Sequence, residues 1–155
     1  MYLTLKALHI VAVILFLGNT ITGAFWKAHG DKTGDPKIMA HTIDGIIRSD
    51  RWFTIPGVIM ILVFGFAAAG IAHYPILRTA WIWMSLILFG ISGAAYMRGV
   101  VPVQSKLRDL AREGIGGAFN RAEYERLSGR WNFWGTVAIV TPLAALALMV
   151  SKPNF

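Results

Sequence analysis

Four long runs of apolar residues restrict what this chain can fold into. They cover residues 3–25, 53–74, 80–101 and 131–150. Each run can cross about 30 Å of hydrocarbon as a helix that rises about 1.5 Å per residue. Hydrophobic residues make up 55% of the 155 residues, more than a soluble domain of this length could bury. The sequence therefore predicts an all-α membrane protein with a single four-helix transmembrane domain spanning residues 1–155.

The basic residues are distributed unevenly about the four spans. Counting Arg98 at the inner edge of span three, twelve of the 15 lysines and arginines lie between spans one and two or between spans three and four. The other three are Lys6, Arg78 and Lys152. The positive-inside rule then predicts cytoplasmic connections at these two places and both termini outside. This distribution accounts for the net charge of +7, so we expect no nucleic-acid partner. We expect a multi-pass protein of the bacterial inner (cytoplasmic) membrane, with the lipid bilayer as its partner.

Both predicted cytoplasmic connections carry helical patterns of their own. Asp35 followed by Pro36 is typical of a helix start. The apolar residues that follow at helical spacing are Met39, Ile43, Ile46 and Ile47. After Pro102, a second apolar stripe consists of Val103, Leu107 and Leu110. These patterns predict two amphipathic helices that lie on the inner membrane surface.

His9 is a polar residue about six residues inside the first span. An imidazole buried without a partner costs about 1–3 kcal/mol, so His9 needs one. Its helical face also carries Val13, Phe16, Thr20 and Gly23. An apolar face with one imidazole suits a haem, whose iron takes an axial histidine. The alternative is a structural histidine, hydrogen-bonded to a hydroxyl or carbonyl group of a neighbouring helix.

A haem held by His9 would contact the rest of this face, which makes Phe16 and Thr20 candidate cofactor-binding residues. His73 lies at the outer end of span two, on the same side of the membrane as His9. It is the candidate second ligand of the iron, or else a solvated residue beside Tyr74. A weaker candidate for a divalent-ion site combines histidine and carboxylate on the cytoplasmic side: His29, Asp31, His41 and Asp44.

The remaining polar residues near the spans have structural interpretations. The segment Ser49-Asp50-Arg51 is interpreted as a helix cap with an ion pair at the inner interface. Polar groups along span three are expected to form hydrogen bonds between helices: Ser85, Ser92 and Tyr96. Pro142 should free the carbonyl group of Ala138. All acidic residues are assigned to the connections, which counts against a proton-coupled transporter. The absence of cysteine excludes thiolate chemistry.

Several short motifs resemble a bacterial family of predicted integral membrane proteins known as domain of unknown function 2269. They run nearly end to end: "MYLTLKALHI", "LFLGN", "AFWK", "SDRWFTIPG", "VPVQ", "YERLSGRW" and the closing "KP". The resemblance implies a four-helix membrane fold. Over the first helix alone, the chain also resembles HemJ-type protoporphyrinogen oxidases and CopD-type copper-resistance proteins. In the HemJ type a "KxxHI" opening supplies a haem-contacting histidine, which here would be His9.

These observations lead to two functional hypotheses. The first is an integral membrane protein that binds haem b, with a redox or porphyrin-related role and His9 and His73 as metal ligands. A redox partner or a second copy of the chain would then be its protein partner. The second is a non-catalytic membrane subunit that binds a partner or handles copper, with a structural His9. No lysine falls within spans two to four, so the lysine-bearing second helix of the HemJ type has no counterpart.

Overall fold

The computed structural model describes residues 1–153, and these residues form helices throughout, joined by short connections. Six of the helices are α-helices: α1 (Tyr2–Thr33), α2 (Pro36–Ser49), α3 (Ile55–Ile71), α4 (Ala80–Ala95), α5 (Val101–Ile115) and α6 (Arg121–Ser151). A π-helical segment, Asp50–Thr54, joins α2 to α3, and a second, Tyr96–Val100, joins α4 to α5. The chain is therefore helical without a break from Pro36 to Ile71 and from Ala80 to Ile115.

Four continuous helices result, and each is long and apolar enough to cross a membrane, which confirms the predicted fold class. They contain 31 to 36 residues. At about 1.5 Å per residue they measure about 46–54 Å, well beyond the roughly 30 Å of a bilayer core. We call the end with residue 1, the 72–79 connection and residue 152 the termini end. The opposite end, with the 34–35 and 116–120 connections, is the loop end.

The predicted amphipathic segments form helices, but they do not lie on a membrane surface as expected. The side chain of Asp35 caps α2 by accepting a hydrogen bond from the Lys37 backbone N–H at 2.8 Å. Both segments continue the long helices and turn their apolar stripes toward each other. The first also packs against α1, and the second packs against α6. The resulting core buries Met39, Ala40, Ile43, Val103, Leu107, Ala111, Tyr124 and Leu127. The surface-helix prediction was wrong because each stripe finds an apolar protein partner instead of lipid.

In the termini half the helices pack as two pairs, α1 with α3 and α4 with α6. Two serines of α4 hydrogen-bond to backbone carbonyls of α6. The Ser85 hydroxyl donates to the carbonyl of Ala145 at 3.2 Å, and the Ser92 hydroxyl donates to the carbonyl of Ala138 at 2.7 Å. The predicted hydrogen bonding between helices is confirmed for these serines. The Ala138 carbonyl, which Pro142 was expected to free, is one of the two acceptors.

The two pairs are held together mainly at the loop end, where α2, α5 and α6 share the core described above. Across residues 1–153, no Cα atom of α3 comes within 8 Å of α4 or α6. Midway along the bundle, the rings of Phe16 and Phe89 meet edge to face, with centroids 5.6 Å apart. Beyond this contact, toward the termini end, the pairs are separated by a gap.

Replacing Leu107 by alanine should lower the free energy of unfolding by about 2–5 kcal/mol, because Leu107 is fully buried between helices of the loop half. Ile115→Ala on the same helix is the control, since Ile115 is 56% exposed and should change stability by less than about 0.5 kcal/mol. Chemical unfolding in detergent measures both. Equal effects would contradict the buried packing of α5.

The orientation in the membrane can be tested because the chain contains no cysteine. The charge distribution predicts that a cysteine at Gly116→Cys, at the loop end, faces the cytoplasm. A cysteine at Leu77→Cys, where the side chain is 89% exposed, should face outward. A membrane-impermeant maleimide should therefore label only the Leu77→Cys protein in intact cells. Labelling with the opposite pattern would invert the predicted topology.

Candidate functional site

The gap between the two helix pairs encloses a cavity of about 710 Å³ in the termini half. All four long helices line it, with His9 and Phe16 from α1, Gly65 from α3, Phe89 from α4 and Pro142 from α6. Its volume lies within the range of about 300–1,000 Å³ that is usual for small-molecule sites, and most of its lining is apolar. The cavity is therefore a candidate binding site for a small molecule.

The imidazole of His9 is fixed by a hydrogen bond to α3. Its Nδ1 lies 2.9 Å from the carbonyl oxygen of Ile61. A carbonyl can only accept, so Nδ1 carries a proton, and in the neutral imidazole Nε2 then keeps its lone pair. Nε2 makes no hydrogen bond and is not fully buried, and His9 lines the cavity. Metal-binding histidines commonly donate their second ring nitrogen in this way, which orients the ring and fixes the tautomer.

Gly65 makes the position of this ring sterically feasible. A Cβ atom at residue 65 would lie 3.0 Å from both Cε1 and Nδ1 of His9. This is closer than ordinary van der Waals contact, so a side chain here would push the ring away from the Ile61 carbonyl. The absence of a side chain at Gly65 thus allows α1 and α3 to hold His9 between them.

The structure brings together only some of the predicted cofactor-binding residues. His9 and Phe16 both line the cavity. Thr20 is outside its lining and donates its hydroxyl to the Phe16 carbonyl at 2.7 Å, within its own helix. His73 is exposed on the connection after α3, in a left-handed conformation with φ of 54°. His73 also lies outside the cavity lining, so its role as a second ligand stays a prediction.

Two lysines lie at the termini end of the cavity. Lys6 from α1 and Lys152 after α6 both belong to its lining. The ammonium group of Lys152 lies 5.4 Å from the ring centroid of Trp81 and 5.7 Å from that of Tyr74, at cation–π distance. An apolar cavity with cationic groups at one end is complementary to an amphiphile that has an anionic head.

The weaker divalent-ion site of the loop half does not form. Among residues 1–153, no three side chains of histidine, cysteine, aspartate or glutamate come together as a metal site. Asp44 instead forms an ion pair with Arg112 at 2.7 Å. Asp31 accepts hydrogen bonds from the hydroxyl of Tyr124 at 2.7 Å and from Lys27 at 2.5 Å. The buried Lys27 also donates to Ser128, so these charges bind α1 to α6.

A polar cluster around Asp50 was not expected from the sequence. Asp50 is only 7% exposed, and its Oδ1 accepts hydrogen bonds from Asn19 at 3.1 Å and from Thr54 at 2.8 Å. Gln104 approaches Oδ2 at 3.5 Å and accepts a hydrogen bond from the Trp131 indole at 3.2 Å. The interpretation of Asp50 as an ion-paired cap was wrong, because the helix continues through Asp50 and its partners are neutral.

The chemistry of the cavity fits a haem group in three respects. Its volume and mostly apolar lining suit a flat apolar ring system, and the neutral imidazole of His9 presents Nε2, the kind of nitrogen that binds haem iron. Lys6 and Lys152 provide the positive charge that propionate groups favour. Within the described lining no second imidazole is present.

One comparison with known proteins gives a match. The family model described as "Predicted integral membrane protein (DUF2269)" matches residues 3–153. No curated protein and no solved structure matches the chain.

Replacing Gly65 by alanine should displace the His9 ring and lower the free energy of unfolding by about 1–3 kcal/mol, the usual cost of overpacking. The control is Gly70→Ala on the same helix, where nothing lies within 4 Å of the added Cβ. Alanine favours a helix over glycine, so Gly70→Ala should be neutral or stabilising by less than about 1 kcal/mol. Thermal unfolding in detergent measures both. Equal behaviour of the two variants would contradict the close contact.

Proposed function

Since the chain belongs to the family of predicted integral membrane proteins DUF2269, we propose its role from the cavity that this multi-pass fold creates. The proposed function is binding of haem b between the two helix pairs, with a redox or porphyrin-related role. The observation that carries the proposal is the Nε2 atom of His9, which is free of hydrogen bonds at the edge of an apolar cavity.

His9 would hold the iron through Nε2 while Nδ1 keeps its bond to the Ile61 carbonyl. This bond prevents rotation of the ring and makes the imidazole a better donor to the metal. A bound haem supplies one-electron chemistry, at a potential set by the axial ligand and by burial. The protein contributes the ligand and a water-poor environment.

The remaining lining would orient the porphyrin. Lys6 and Lys152 would pair with the propionates, which places that edge of the ring toward the termini end. Phe16 and Phe89 close the opposite end of the cavity by their edge-to-face contact. With the predicted topology, the haem would lie in the outer half of the membrane, accessible to a redox partner on that side.

Replacing His9 by alanine tests the haem proposal. We expect the purified wild-type protein from haem-replete cells to show a Soret band and a reduced-minus-oxidised spectrum of b type. Both should be lost in His9→Ala, because the iron then has no imidazole ligand.

The matched control is His73→Ala, which removes an exposed imidazole outside the cavity lining. From the position of His73 we expect this variant to keep the Soret band. A changed spectrum with the haem retained would identify His73 as the second ligand that the sequence predicted. A colourless wild-type protein would contradict haem binding altogether.

A second candidate function is a non-catalytic membrane subunit, which binds a partner or handles copper. The observation in its favour is that the bond from His9 to the Ile61 carbonyl already satisfies one ring nitrogen and links α1 to α3. In that case His9→Ala would lower thermal stability without any change in colour. Measuring both properties on the same preparations separates the two functions.

A further inference from the structure

The cavity that His9 lines is open at the side of the bundle. Among residues 1–153, no Cα atom of α3 comes within 8 Å of α4 or α6, so no close helix contact closes the cavity beside α3. Two of the side chains that line it are also accessible from outside, Ile14 of α1 with 63% exposure and Phe66 of α3 with 47%. Both lie within helices that are long and apolar enough to span a membrane, so this opening faces lipid.

The depth of the cavity matches one leaflet of a bilayer. Lys6 and Phe16 both line it, and they lie about 15 Å apart along α1 at about 1.5 Å per residue. Half of a hydrocarbon core of about 30 Å is also about 15 Å. At its inner end, the contact between the rings of Phe16 and Phe89 closes the cavity. An acyl chain that enters from the side therefore meets apolar lining over the depth it would cover in the leaflet.

A cavity of this size and polarity is better filled by hydrocarbon than by water. Its volume is about 710 Å³, and most of its lining is apolar. Water finds too few hydrogen-bonding partners in such a cavity, and the lining of an empty one loses dispersion contacts. Lipid chains are as apolar as the lining. A chain that enters through the side opening gains contacts and gives up no hydration.

The termini end of the cavity carries positive charge where a lipid head group would lie. Lys6 and Lys152 both line the cavity, and both are exposed. Neither forms an ion pair with an acidic side chain of residues 1–153. Lys152 instead contacts the rings of Trp81 and Tyr74, two residue types that favour the membrane interface. Basic groups beside a cleft between spanning helices attract anionic head groups.

We propose that the cavity, when it holds no haem, takes up one acyl chain of an anionic phospholipid from the leaflet at the termini end. The phosphate pairs with Lys6 and Lys152, and the chain points toward Phe16. The predicted topology makes this the outer leaflet. The proposal goes beyond haem binding and does not rest on it, because its arguments are the side opening, the depth and the two lysines. Haem and the chain need the same space, so each excludes the other.

Native mass spectrometry of the full chain tests the proposal. The protein is purified from haem-deficient cells, so that haem cannot occupy the cavity. It is then transferred to detergent micelles that contain equal amounts of phosphatidylglycerol and phosphatidylcholine. We expect one retained phospholipid per chain. Phosphatidylglycerol should be favoured by at least about tenfold, because each lysine near a membrane surface contributes roughly a factor of five.

Lys6→Gln and Lys152→Gln test the contact with the head group. Each should lower the preference for phosphatidylglycerol by about fivefold while one phospholipid is still retained. The matched control is Arg78→Gln, since Arg78 is exposed at the same end of the molecule but lies outside the cavity lining. An equal decrease in the Arg78 variant would mean that the whole end attracts anionic lipid, and it would overturn the assignment to the cavity.

Ala69→Phe tests the position of the acyl chain. Ala69 lines the cavity, so a phenyl ring at this position should occupy the space of the chain and abolish the retained lipid. The control is Gly70→Phe, because Gly70 lies outside the lining and an added Cβ there meets nothing within 4 Å. This variant should retain lipid as the wild type does. If Ala69→Phe does not fold, Leu86→Trp fills the cavity from α4.

Three results would overturn the proposal. The first is a haem-free wild-type chain that retains no phospholipid. The second is equal retention of phosphatidylglycerol and phosphatidylcholine, which would exclude the contact with the lysines. The third is full retention in a folded Ala69→Phe protein, which would place the lipid on the outside of the bundle. The Soret band of protein from haem-replete cells is a separate measurement, so either proposal can fail without the other.

Discussion

The absence of hydrogen-bonding partners in lipid is the constraint on which this structure depends. A polar group that is sealed inside the bundle must find its partner in the protein, because an unsatisfied group in hydrocarbon costs several kcal/mol. The described residues meet this requirement, with no buried side-chain nitrogen or oxygen left without a hydrogen bond. The contacts of Ser85, Ser92 and His9 each join two helices by a bond from a side chain to a backbone carbonyl. Polar residues therefore specify which apolar helices pair.

Much of the fold could be predicted from the sequence, because long apolar runs and the start of α2 at Asp35 are local patterns. The two amphipathic segments were predicted as helices but placed on the membrane surface. An apolar stripe indicates that a helix covers something apolar, and it does not distinguish lipid from Leu107 and Tyr124 of the same chain. Local patterns gave the helices, whereas their partners depend on contacts between residues far apart in the sequence.

The candidate sites, too, could be predicted from the sequence only in part. His9 was identifiable because a histidine inside an apolar run is conspicuous, yet its bond to Ile61 and its contact with Gly65 join residues more than 50 positions apart. The Asp50 cluster escaped notice for a related reason. Asp50 lies next to Arg51 in a polar stretch that resembles a helix cap, and only the continuous π-helical turn places it inside the bundle. The local signals of that cluster were two polar residues within the apolar spans, Asn19 of span one and Tyr96 of span three.

The separation of the helix pairs has a mechanical consequence. The helix α3 contains 17 residues and is therefore about 25 Å long. A tilt of about 5° at the π-helical segment that precedes α3 would move the C-terminal end of α3 by about 2 Å. The helix itself would not need to change. A small repacking at the Asp50 turn would therefore be amplified at the opposite end of α3. The distance between the α1–α3 pair and the α4–α6 pair at the mouth of the cavity would then depend on side-chain packing about 25 Å away, at the other end of α3.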